Sequence, residues 1–218
     1  MLILAFDTAT PAVTVALHDG HQVVAHESVV DSRRHGESLS PAISQVLATA
    51  GARPADLTAI AVGTGPGPYT GLRAGLVTAQ VFSTALGIPV DGICTLDVIA
   101  AQARHSAGDR EFIVATDARR REVYWARYDP NGQRLTDPRV SLPAQVPAGY
   151  PMAGEGPRLH AELAACGEIV GPRYPAAADL AEIAACHLAS GQPLGRPEPL
   201  YLRRPDAREP GKPKRVTP

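Results

Sequence analysis

The residues best placed to grip a phosphate lie at 63–75, GTGPGPYTGLRAG, where a strand-like run at 58–62 passes into a small-residue helical run at 72–86. Junctions of this kind hold phosphate by aiming backbone N–H groups at the anion. Here Pro66 and Pro68 each remove a donor. No Lys stands in the loop, and the spacing of Gly63, Gly65, Gly67 and Gly71 does not give G-x-G-x-x-G. What remains reads as a stiff connector seating a buried helix. Thr70 is its expected N-cap, and Gly71 and Gly75 admit another backbone close by. Arg73 falls in the first helical turn, the unfavourable end for a cation unless a partner meets it.

Other groups carry chemical potential in smaller clusters. His18 and His21 flank a turn, but a catalytic zinc site needs a third ligand, and His26 lies too far along. Asp31, His35 and Ser38 are neighbours without a G-x-S-x-G elbow, so entry into a helix explains them more simply. The cysteines at 94, 166 and 186 are odd in number and not spaced C-x-x-C, so they read as small hydrophobes in a reducing compartment. Arg119, Arg120 and Arg121 mark a hairpin tip and could touch phosphate, as could the cations of the C-terminal tail. Charge on tips and tails is usually solvated, and no aromatic residues interleave for base stacking.

The elements that must position these groups follow from the hydrophobic pattern. A buried strand run at 2–6 is followed by two β-rich runs, 12–17 and 23–29, around Asp19-Gly20, a type I′ hairpin signal. Helix 37–50 places Leu39, Ile43, Val46 and Leu47 on one face, with Pro41 in its first turn and Gly51 as its stop. The helix at 72–86 is apolar or small on nearly every side and should be buried on more than one. A strand at 89–94 and a helix at 96–104, with Thr95 as N-cap, complete the first half. The second half opens with a hairpin, 111–116 and 122–128, then a Pro- and Gly-rich stretch, helices at 159–166 and 178–190, and a short extended piece at 200–203. The shared strand-hairpin-helix order suggests a duplicated fold. The expected division is 1–98, 99–204 and a disordered basic tail, 205–218.

Composition narrows the function. Hydrophobic residues at 44% suffice for a core, and aromatics at 5% leave that core to Ala, Val, Leu and Ile. A net charge of −1 argues against strong unaided binding to nucleic acid. The apolar start is too short for a signal peptide or a membrane span, so the expected location is cytoplasmic.

The loop GTGPGPYTGLRAG resembles the G-P-G-S/P-F/Y-T-G-L-R-I/A-G signature of the TsaB (YeaZ) family, bacterial proteins of the threonylcarbamoyladenosine tRNA-modification pathway. AFDTAT at 5–10, RRHGESLSP at 33–41, GIPVDGICTLDVIA at 87–100, DARRREVYWARY at 117–128 and PLYLR at 199–203 agree in order, so the resemblance covers nearly the whole chain up to Arg204. It implies an α/β, two-lobed actin-like ATPase (ribonuclease H-like) fold, each lobe a mixed sheet with packed helices. In that superfamily a first phosphate loop uses Asp to help hold Mg²⁺ and water, and Gly for close approach. Asp7, Thr8 and Thr10 occupy that place here, with Ala9 between and no Gly. Asp117 opens the second such loop beside bulky Arg119 and Arg120, and Gly154-Glu155-Gly156 stands at the adenosine turn with a carboxylate that repels phosphate. These residues read as a vestigial nucleotide site, with no cofactor expected and no catalytic or metal residue.

The resemblance further implies a scaffold role. TsaB-like proteins pair with the catalytic subunit TsaD through N-lobe helices, are joined by the ATPase TsaE, meet tRNA indirectly through the complex, and can form homodimers alone. TsaD carries two His on a helix for its metal, whereas His35 alone stands at the comparable place here. The expected docking residues are Glu37, Leu39, Ile43 and Val46 on the first helix and Leu72, Arg73, Leu76 and Gln80 on the second. The alternatives are an active small-molecule kinase or ATPase and a metallopeptidase-like enzyme, which bound nucleotide or bound metal would reveal.

Overall fold

The computed structural model describes residues 1–30 and 35–203; the basic tail and Asp31 lie outside them. The first sheet contains β1 (Ile3–Asp7), β2 (Ala12–His18), β3 (Val23–Val30), β4 (Ala59–Gly63) and β5 (Val90–Ile93) in the order β3-β2-β1-β4-β5. β2 pairs antiparallel with β1 and β3, and β4 and β5 continue parallel to β1. β1, β2 and β4 are buried at every position, as mid-sheet strands covered on both faces are, with Asp7, Thr14 and His18 among their otherwise apolar residues. β3 lies at the edge and alternates between partly covered and exposed residues.

Helices α1 (His35–Thr49) and α2 (Tyr69–Leu86) cover one face of this sheet. Phe6, Val15, Leu17, Ile60 and Val62 meet Leu39, Ile43, Val46 and Leu72 there. Each such side chain contributes about 1.5–3 kcal/mol when fully buried. After α3 (Thr95–Ala107), the second sheet holds β6 (Phe112–Asp117), β7 (Val123–Tyr128), β8 (Arg139–Ser141) and β9 (Met152–Ala153) in the order β8-β7-β6-β9. This repeats β3-β2-β1-β4, including a parallel last pair. The repeat is that of the actin-like, ribonuclease H-like fold. Only a 3₁₀ turn, Pro143–Gln145, links β8 to β9 where α1 links β3 to β4.

Two short helices follow, α4 (Gly156–Leu159) and α5 (Ala161–Ala164), and then α6 (Ala177–Ser190). α6 crosses back to the other face of the first sheet. Its Ala177, Leu180, Ala181, Ala184 and Ala185 pack on Ile3, Ala5, Ala16, Ala59 and Ala61. Alanine against alanine lets this helix lie close to the strands, whereas the α1–α2 side carries the larger side chains. No helix among the described residues is long and apolar enough to cross a membrane.

Several local expectations are corrected. The β2–β3 hairpin forms, but its loop is longer than a two-residue type I′ turn. Asp19 Oδ1 accepts hydrogen bonds from the N–H groups of His21 and Gln22, and Gly20 alone in that loop has positive φ. α1 begins at His35, so Pro41 sits in its second turn. Pro68, not Thr70, precedes α2, and no side chain caps that helix. Thr95 is the first residue of α3 rather than its cap, because its hydroxyl is spent on Asp7.

Candidate functional site

The first-lobe half of the site is built where β1 ends. Asp7 is fully buried. Its Oδ1 accepts from Ala9 N at 2.7 Å, and its Oδ2 accepts from the Thr95 hydroxyl at 2.7 Å. Thr95 Oγ1 in turn accepts from Gly65 N at 3.1 Å, tying α3 to the Pro/Gly loop. Burial raises the Asp7 pKa above its ordinary value, and these two hydrogen bonds only partly offset it. A Cβ at position 63 would stand 1.9 Å from Asp7 Oδ2, so only glycine allows β4 to pass the carboxylate. Thr8 donates its hydroxyl to Gly71 O at 2.7 Å, and Thr10 Oγ1 accepts from Ala12 N at 3.3 Å.

The Pro/Gly loop closes the space in front of these groups. A Cβ at position 67 would lie 2.1 Å from the Ala9 carbonyl oxygen, so Gly67 is packed backbone to backbone against the loop that would cradle phosphate. The second lobe closes from the other side. Asp117 Oδ1 accepts from Arg119 N at 3.1 Å, with Arg119 Nε and His160 Nε2 each 3.6 Å from its carboxylate. Glu155, buried, accepts from Arg173 at 3.1 Å and from the Tyr174 hydroxyl at 2.7 Å. Burial, then the bond to Glu155, pushes the Tyr174 hydroxyl up to about 12, so it stays a donor.

Ala9, Thr10, Pro11, Pro68, Thr116, Asp117, Arg119 and Glu155 thus surround a residual void of about 10 Å³. That is about the space of one water molecule. Of the sequence-named residues, Thr10 and Asp117 line this void, whereas the polar groups of Asp7 and Thr8 are turned to Thr95, Ala9 N and Gly71 O. Beside them, Arg119, Arg120 and Arg121 have φ of 60°, 54° and 62°. The left-handed region costs non-glycine residues roughly 1–2 kcal/mol each.

The docking residues divide. Leu39, Ile43 and Val46 lie beneath α1, and Leu72 and Leu76 beneath α2, all in the core. They recur at helical spacing because they face the sheet, so they do not form an outer surface. Glu37, Arg73 and Gln80 are exposed. The outer row of α2 is Tyr69, Arg73, Val77 and Val81, with the three apolar members 52%, 61% and 60% exposed. This row at intervals of four was readable as the face opposite Leu72 and Leu76.

Arg73 finds the partner its position calls for. Its guanidinium lies 4.1 Å from the centre of the Tyr69 ring, and its Nε donates to the Tyr201 hydroxyl at 3.1 Å. The two tyrosine rings stack at 5.7 Å. Tyr201, from the PLYLR segment, is thus a surface residue that periodicity did not single out. Elsewhere His18 is buried and its Nδ1 accepts from Gly20 N. No group of three His, Cys, Asp or Glu able to hold a metal occurs among the described residues.

The family model for TsaD, tRNA N6-adenosine threonylcarbamoyltransferase, matches residues 25–189. The tRNA threonylcarbamoyladenosine biosynthesis protein TsaB of Escherichia coli is 34% identical over 223 residues, covering 93% of this chain and 95% of that protein. An uncharacterized protein of Mycobacterium tuberculosis is 47% identical over 209 residues, covering 94% and 93%. YeaZ from Pseudomonas aeruginosa superposes with a TM-score of 0.77 at 29% identity, covering 92% of this chain and 100% of that one. A second structure, of an uncharacterized protein with similarity to peptidase YeaZ from Pseudomonas aeruginosa, gives 0.80 at 30%, covering 93% and 99%.

Proposed function

The chain belongs to the TsaB (YeaZ) family, and from that premise we propose that it is the non-catalytic scaffold subunit of the bacterial assembly that forms N6-threonylcarbamoyladenosine in tRNA next to the anticodon. In this reading TsaD transfers the threonylcarbamoyl group, TsaE supplies ATPase action, and tRNA meets this chain through the complex. The observation that carries it is the stopper at the lobe junction. Gly67 seats on the Ala9 carbonyl, and Asp7 is sealed by Thr95 and Ala9, so the groups an actin-like ATPase turns toward phosphate are consumed inside the protein. Binding a triphosphate there would require expelling the Pro/Gly loop.

The outer row of α2 supplies the surface for pairing. Tyr69 and Arg73 are of the residue types that dominate binding energy at interfaces, and Val77 and Val81 leave apolar area exposed beside them. The same row serves a homodimer when TsaD is absent. Size-exclusion chromatography with light scattering, on the chain mixed with TsaD and TsaE, tests the proposal. A stable complex with TsaD, and no ATP turnover by the chain alone, are the expected results. Enzyme-like ATP hydrolysis by the isolated chain, or a monomer indifferent to TsaD, would overturn it.

A further inference from the structure

We infer that Arg73 selects the partner at the outer face of α2: it takes a carboxylate that the partner sets among apolar side chains, and it disfavours a second copy of this chain. The inference rests on the pairing surface proposed above and names the chemistry that must meet it. Arg73 is the only charged residue of α2. Tyr69 covers one face of its guanidinium at 4.1 Å, and the Tyr201 hydroxyl accepts from its Nε at 3.1 Å. Both contacts are neutral. They fix the guanidinium without cancelling its charge, and Arg73 has no ion-pair partner among the described residues. The Nη groups, which with a carboxylate form the bidentate fork, are unused within the described residues. A guanidinium already held in place loses less freedom on binding, so less ordering entropy opposes the contact.

The surroundings say what kind of chain brings the carboxylate. Tyr69, Val77, Val81 and Tyr201 are all exposed. The other exposed residues of α2, Thr70, Gln80, Thr84 and Ala85, carry no charge. One cation among apolar and aromatic neighbours suits a protein partner, whereas a nucleic-acid backbone is met by several cations. A second copy does not supply the acid. α2 contains no Asp or Glu, and Glu37, the only carboxylate of α1, already has an interaction of its own. Pairing α2 with α2 would bury two guanidinia with nothing to neutralise them, and an unpaired buried charge is costly. That cost is the repulsive element by which the face discriminates. The occupant is therefore a different chain that presents Asp or Glu between apolar residues, which in the scaffold reading is TsaD.

The test measures pairing of the full chain with TsaD, and with itself, by calorimetry and light scattering for wild type, Arg73→Leu and Arg73→Glu. Arg73 is exposed, so neither variant should lower the melting temperature. Both should bind TsaD about thirtyfold more weakly, the loss that marks a hot spot, while Arg73→Leu should dimerise at lower concentration than wild type. Arg73→Lys gives a chemical readout. A water-soluble carbodiimide joins an ammonium to a carboxylate in contact with it. The complex of this variant with TsaD should therefore yield, by mass spectrometry, a cross-link from position 73 to an Asp or Glu of TsaD, and the variant alone should yield none from position 73 to a second copy. Arg73→Leu that binds TsaD as wild type does, or a complex that forms without a cross-link at position 73, overturns the inference. So does a cross-link from position 73 to a second copy, which would make this chain the occupant. Labelled tRNA bound by wild type and lost in Arg73→Leu, with TsaD pairing unchanged, would give Arg73 to phosphate and overturn it as well. Wild type that ignores TsaD removes the scaffold reading, and self-pairing then decides this one: Arg73→Leu that dimerises no more strongly than wild type removes it.

Discussion

At Asp7 the balance between lost hydration and gained hydrogen bonds is tipped by burial, which holds the carboxyl above its ordinary pKa. The native state then binds a proton more readily than the unfolded chain. Stability is therefore greatest below the unfolded value, about 3.9, and falls as pH rises through the native one. Asp7→Asn keeps an acceptor for Ala9 N and removes the titration. Denaturant midpoints measured from about pH 4 to about pH 8 should show the variant gaining on wild type as pH rises; parallel curves would contradict this. Cys94 makes a second prediction at this scale. Burial, with Asp97 beside it, pushes its thiol up to about 12, while Cys186 is exposed. Iodoacetamide on the native protein should label Cys186 well before Cys94, as mass spectrometry would record. Both environments depend on partners far away in sequence. Thr95 was readable as a helix cap, and only the fold brings its hydroxyl to a carboxylate on β1.

α2 separates what periodicity can say from what it cannot. Its composition, small or apolar all round, implied burial on several sides, yet one face meets the sheet and the other is open. Spacing finds faces; it does not say whether a face is covered by the same chain or by another. The five leucine, isoleucine and valine positions expected to dock were found by the periodicity that makes them core. The expected consequences are therefore split. Leu72→Ala should cost about 2–5 kcal/mol in urea unfolding, because it empties a fully buried site. Val77→Asp with Val81→Asp should change stability by only about 0.5 kcal/mol, as exposed substitutions do, and abolish the light-scattering complex with TsaD. A double variant that still pairs would move the interface off α2. α6 shows the same limit. Its helical run at 178–190 was legible, but nothing in it told that its alanines would pack on the alanines of the first sheet rather than on the second.

Across the whole molecule, α3, α6 and the segment 193–203 tie the two lobes. That segment runs along the free edge of β5, where Gly92 N donates to Gly195 O at 2.9 Å and Gly195 N donates to Asp91 Oδ1 at 2.7 Å. It goes on to Thr64, whose carbonyl accepts from Leu200 N, then to the Tyr69–Tyr201 stack on the first lobe and the Arg203–Glu122 pair on the second. The prolines at 193, 197 and 199 imply extension but not destination, so the course of this stretch was not legible in the sequence. Its course joins the outer face of α2 to the base of the arginine turn, so both surfaces share one fastening. Ending the chain at Pro199 should loosen both. The lost aromatic pair is worth about 0.5–1.5 kcal/mol and the lost ion pair about 0–1 kcal/mol, and each kcal/mol lowers the melting point of a chain this size by about 2–4 °C. Hydrogen exchange should quicken in the arginine turn and in the first turn of α2 together, relative to a chain ending at Arg203 that keeps every one of these contacts. Faster exchange in α2 with the arginine turn unchanged would mean that the lobes are held by α3 and α6 alone.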